Sequence, residues 1–231
     1  MPHRERHDSG GGPWMSQTHS VIEDELADAL PSTVAAQLFD LGLACNTASL
    51  AYRQALLTEE RAGQALDAIR EDDPAVMFRR FAATEQADAA LDTAEQLLST
   101  YAVLAATYAE YATTVLAAAA AGKLQDVEPV TLVATSALLT DPDSALPVVQ
   151  LPPGTAGDGL TERLQQLRRR VTVAASNARA SGVTACYDGR SAATARPDGG
   201  IELSEDVPDG LHAYAALLLE SLGLLVAAPR A

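Results

Sequence analysis

Lysine, cysteine and aromatic residues are all scarce in this chain, and each shortage excludes something. Of 16 basic residues only Lys123 is a lysine, against 31 acids, so the formal charge is −15 at pH 7. Proteins that bind nucleic acid do so through clustered Lys and Arg that displace counterions, and a chain this acidic is not built for that work. The preference for arginine over lysine reads as high-GC coding or salt adaptation before it reads as function. Two cysteines, Cys45 and Cys186, cannot make a disulfide framework, and without a CxxC or a Cys/His cluster no structural zinc site is expected. A reducing, cytoplasmic setting fits that usage.

Other signatures are missing too. No charged segment leads into an apolar h-region, so no standard signal peptide is expected, and residues 1–19, with Gly10-Gly11-Gly12, read as a flexible leader. There is no P-loop, no GxGxxG after a strand, no GxSxG elbow and no HExxH. The paired Glu-x-x-His ligands of di-iron bundles are absent as well. The glycine-rich stretch 153–159 contains Asp158, which would repel a phosphate, so it reads as an ordinary loop. No cofactor, metal or catalytic residue can be assigned, and the reading leans away from an enzyme.

Hydrophobic residues make up 48% of the 231 residues while aromatics make up 4%. The core must therefore be filled by Ala, Leu and Val, and small side chains let helix backbones approach closely. The periodicity agrees. A short helical signal over 20–29 is interrupted by Pro31; from Ser32 or Thr33, a plausible N-cap, apolar residues recur at Val34, Leu38, Leu41, Cys45, Ala48, Tyr52, Leu56, Leu66 and Ile69, steps that keep one face inward until Glu71. Asp73 followed by Pro74 then marks a second start, since proline at the first helical position forfeits no hydrogen bond. No proline or glycine intervenes before Gly122, a left-handed terminator, so one helix is expected over 73–121, with Leu91, Ala94, Leu98, Tyr101, Leu104, Tyr108, Tyr111 and Val115 inward. Joined by so short a connection, the two must fold back as an antiparallel hairpin.

A shorter helix is expected over 129–139, followed by a Pro/Gly-rich loop over 141–159. Asp158 or Thr161 can cap a helix to Ala180 with Leu160, Leu164, Leu167, Val171 and Ala175 inward. Segments 183–188 and 201–205 alternate weakly, which permits a small β-hairpin or an irregular insertion within 183–205. After Asp206 or Asp209, the run 211–228 is apolar nearly all round, as a central buried helix would be.

Several residues invite a functional reading. Arg163, Arg168, Arg169 and Arg170, with Arg179 farther on, are the one basic concentration, suited to an anion or a partner's carboxylates, or to the chain's own acids; Arg79-Arg80 is a smaller pair. Tyr101, Tyr108 and Tyr111 read more simply as bundle filler with hydroxyls at the edge than as a ligand stripe. Cys186-Tyr187-Asp188 with His212 is the one place where a thiol, a carboxylate and an imidazole could converge, which spacing cannot show and which reads more simply as structural, and Cys45, on the inward stripe, is a small core hydrophobe. Segments 97–121 and 211–228 approach the ~20 apolar residues that span a bilayer, but Glu110, His212 and Glu220 and the lack of basic flanks favour buried core helices.

The expected fold is all-α, an elongated antiparallel helical bundle with a 20–140 hairpin spine completed by 160–231. The expected function is a non-enzymatic interaction or assembly protein, coiled-coil-like, docking a protein partner or a second copy through extended helix faces. A lipid-surface-active protein exposing an apolar hairpin is the alternative, and a small-molecule binder or enzyme with an inter-helix pocket the third.

Overall fold

A computed structural model describes Leu26, residues 29–69, 75–130, Leu146, Val148, and residues 159–180, 184–187, 192–195 and 206–227. It is an all-α helical bundle. Helix α1 (Ser32–Asp67) and helix α2 (Val76–Ala120) run ~54 Å and ~68 Å at 1.5 Å per residue. They pack along each other in antiparallel sense. Gly42 of α1 meets Tyr108 of α2, and Ser49 hydrogen-bonds Tyr101, so seven residues forward on one helix match seven backward on the other. Helix α3 (Leu160–Ala180) packs on helix α4 (Asp206–Ala227), and α4 lies against α2.

The helix ends differ in how they obey the sequence rules. At Gly122 the rule holds: φ is 69°, Gly122 N–H bonds Ala119 O and Lys123 N–H bonds Ala118 O, a Schellman closure that a residue with a β-carbon would strain. At Ser32 it does not. Ser32 is the first helical residue, Pro31 occupies the cap position, and the Pro31 carbonyl accepts from Val34 and Ala35 with no side-chain cap. The second helix likewise begins at Val76 rather than after Asp73, which lies outside the described residues with Pro74.

The core also sits elsewhere than expected. The stretch buried on all sides lies in the second half of α2, from Tyr101 to Ala109, and Tyr111, Ala112, Val115 and Leu116 are closed off beyond it while Glu110, Thr114 and Ala117 keep an edge towards solvent. Its alanines are what allow α1 on one flank and α4 on the other to come close enough. Helix α4 is not central: Leu211, Tyr214, Leu218 and Leu222 point inward, but Asp209, Ala213, Glu220 and Leu224 form a solvent edge.

Beyond the bundle the hairpin continues as an arm. Residues 56–67 of α1 and 76–93 of α2 include no buried side chain, and the half-buried ones are mostly small, such as Ala62, Gly63, Ala83, Ala87 and Ala90. Leu91, expected inward, is 43% exposed and belongs to this stretch in which α2 buries no side chain. Leu56, Leu66 and Ile69 are likewise only half-buried.

Thr184–Tyr187 pairs antiparallel with Ala192–Ala195 beside α2, so the second strand is not the 201–205 segment, which lies outside the described residues. The leader 1–19 and most of the 129–139 and 141–159 segments also lie outside them. Pro129 and Val130 are described, and they are non-helical: the Gln37 side-chain amide donates to Val130 O while Val130 N–H donates to Gln37 Oε1 at 3.1 Å, pinning the chain after Gly122 against α1.

Candidate functional site: the outer face of the first helix

Two features stand out from the plain apolar packing, one inside the bundle and one on its surface. Inside, Tyr101 donates its hydroxyl proton to Asp209 Oδ1 at 2.9 Å and lies 3.1 Å from His212 Nδ1. With the phenolic proton committed to Asp209, the imidazole must carry its own on Nδ1 and donate it to the tyrosine oxygen. Ser49 adds a hydrogen bond, Tyr108 packs edge-on against the imidazole, and Arg53 reaches Asp209 at 3.7 Å near the surface. Three helices are thus tied by one polar cluster.

The Cys45 thiol, which feels the charge of this cluster, stays neutral. Burial, then the negative charge of Asp209, pushes the Cys45 thiol up to about 12, so the sulfur is protonated at neutral pH. Burial likewise lifts Tyr101 and Tyr214 above the usual phenol range, the hydrogen bond from Ser49 opposing it for Tyr101 and that from Thr113 for Tyr214. The Tyr101 hydroxyl, expected at the bundle edge, is therefore drawn into a cluster between helices. Sequence reading could not pair Tyr101 with Asp209 and His212, which are more than a hundred residues away.

The predicted arginine group separates. Arg163, Arg169 and Arg170 are exposed on α3, whereas Arg168 turns inward and donates through Nε to the Leu146 carbonyl. His212 finds its partners in α2, and the strand Thr184–Tyr187, which carries Cys186, packs beside α2; Asp188 lies outside the described residues. Arg79 and Arg80 are exposed on the arm. No group of three His, Cys, Asp or Glu able to hold a metal occurs among the described residues.

On the surface, α1 carries a second apolar column on the side opposite its buried one. Phe39, Leu43, Leu50 and Leu57 are each 52–64% exposed. Ala36, Leu43, Leu50 and Leu57 recur every seven residues, the spacing that keeps a seam on one side of a helix. This column was missed because the inward stripe already accounted for the helical rhythm; the heptad step was the signal that would have found it. On one flank stand Asp40, Thr47, Gln54 and Arg61, on the other Phe39, Asn46, Arg53 and Glu60, all exposed.

At the bundle end the column runs into a groove of about 450 Å³ lined by Leu26, Leu30, Ala36, Phe39, Tyr108 and Leu219, with Asp40 its one charged side chain among the described residues. At the arm's tip Met77, Phe78 and Phe81 form a separate bare patch, 80%, 82% and 67% exposed. Two helices, Val76–Ala120 and Pro208–Val226, are apolar and long enough to cross a bilayer, but the apolar window of the first is 72% buried in the bundle and that of the second half buried. No protein-family model, curated protein or solved structure matches the chain.

Proposed function

We propose that this is a non-enzymatic assembly protein that associates with a second copy of itself through the outer face of α1. The observation that carries the reading is the heptad column Leu43, Leu50, Leu57, continued by Phe39, standing in water. Single exposed leucines are ordinary. Three in register on one helix, ending in an apolar groove, form a contiguous patch of the kind that marks association. A face of one helix meeting its own copy closes into a two-fold dimer without further growth.

The polar cluster supports the same reading from the other direction. It holds a protonated thiol and phenols in place and leaves the interior no evident chemistry. The lipid-surface alternative has less support, because the most apolar stretch of α2 is already covered by its neighbours.

Light scattering tests the proposal. The wild-type chain is expected at twice 24.1 kDa at tens of micromolar, and Leu50→Glu at 24.1 kDa with unchanged helical circular dichroism, since Leu50 is 64% exposed within one chain. Phe78→Ser, on the separate tip patch, should leave the mass doubled. A wild-type mass of 24.1 kDa across that range would overturn it.

A further inference from the structure

Resting on the self-association just proposed, we infer that the two copies run antiparallel about a two-fold axis at Leu50, so that each arm lies in the groove end of the other. The shape of the outer face chooses the direction. The first half of α1 is walled: Leu26 and Leu30 line one side of the groove, and Val130 is clamped to Gln37 on α1. The second half, beyond Leu56, belongs to the arm, and among the described elements its packing partner is α2. A parallel pair would set wall against wall and leave the arms without support from either body. An antiparallel pair seats the slim half of each copy between the walls of the other.

The register follows from the column. With Leu50 on the axis, Leu43 faces the partner's Leu57 and Ala36 faces the partner's Gln64. The two-fold axis is normal to the plane of the paired helices, so each flank meets its own symmetry mate. Asp40, at the lip of the groove, then comes opposite the partner's Arg61, and the pair occurs twice. Thr47 comes opposite the partner's Gln54. From Leu50 to Arg61 is ~17 Å and from Leu50 to Asp40 ~15 Å along the axis, so the charges arrive level. A parallel pair would also set Arg61 beside an acid, the partner's Glu60, so charge alone does not choose; the walls do. The groove's occupant is therefore the arm of a second copy, its Arg61 head on Asp40 and its Ala65 and Ala68 over the apolar floor.

Disulfide trapping in a Cys186→Ser background, with the native Cys45 buried, reads the direction. Leu43→Cys mixed with Leu57→Cys should form a cross-linked dimer within minutes of oxidation, while either variant alone should not. Self-linking of Leu43→Cys alone means a parallel pair and overturns the inference, as does a doubled mass with no trapping of the mixture. A single-chain mass for the unmodified protein instead removes the assembly proposal beneath it. Charge exchange gives a second readout: Asp40→Arg and Arg61→Asp should each weaken the dimer roughly two- to tenfold, and the double variant should recover it.

Discussion

The two halves of the hairpin are built from the same rhythm and meet different fates. Between Tyr101 and Ala109, α2 packs between α1 and α4, and even its alanines are fully buried. Between 76 and 93 nothing on the same helix is buried. Helical periodicity fixes which residues share a face; it does not fix how many neighbours that face receives. Two helices of this length, packed on a thin column of small residues, gain little from burial, because stability of a helix in water comes mainly from tertiary packing.

The largest expected difference between the halves is in tolerance to charge. Leu104→Asp places a carboxylate among buried side chains and should cost about 5 kcal/mol or prevent folding, whereas Leu91→Asp should change stability by less than ~0.5 kcal/mol in urea melts. Equal effects at the two sites would erase the distinction.

Alkali should attack only the enclosed half. Cys45 has its pKa raised from 9.0 to about 12 in the folded chain, so its contribution is complete below pH 9 and is lost as pH climbs towards 12. A shift of that size corresponds to ~4 kcal/mol at most. The raised phenols of Tyr101 and Tyr214 act in the same direction at higher pH. Denaturant midpoints followed from pH 8 to 11.5 should fall steeply for the parent and less steeply for Cys45→Ala; parallel curves would mean the thiol ionises without hindrance.

The smallest contrast lies in two glycines of α1. A β-carbon at Gly63 meets nothing within 4 Å, so Gly63→Ala should stabilise the arm by up to ~1 kcal/mol through helix propensity. At Gly42 the same carbon would come 3.1 Å from the Tyr108 hydroxyl inside the core, so Gly42→Ala should gain nothing or lose a few tenths of a kcal/mol. Thermal melts of both variants check the pair, and an equal gain at both would show that Tyr108 yields freely.

Much of this fold was legible in the residues. The hairpin, the Gly122 terminator and the stripe from Ala94 to Val115 were all visible as spacing, because each depends on contacts within a few turns. The centre of the bundle was not: the 211–228 run is more evenly apolar than the second half of α2, but the alanines of α2 let two helices approach it, while α4 keeps an edge in water. The Tyr101, Asp209 and His212 cluster depends on chain folding across a hundred residues and leaves no local trace. The outer column of α1 was legible as a heptad but not as exposed, since a sequence with two apolar columns on one helix does not say which is covered. For the four arginines of α3 the helical spacing already set Arg168 and Arg169 on other faces than Arg163 and Arg170; what it could not show was that Arg168 is drawn inward to the Leu146 carbonyl.

Hydrogen exchange reads most directly whether the bare half of α1 is completed by a second chain. If the parent pairs as proposed, amides of 56–67 should be protected at high protein concentration and lose that protection on dilution, and in Leu50→Glu they should exchange quickly at every concentration while 101–109 stays protected. Slow exchange of 56–67 in Leu50→Glu, equal to that in the parent and indifferent to dilution, would mean the arm stands by itself and needs no second copy.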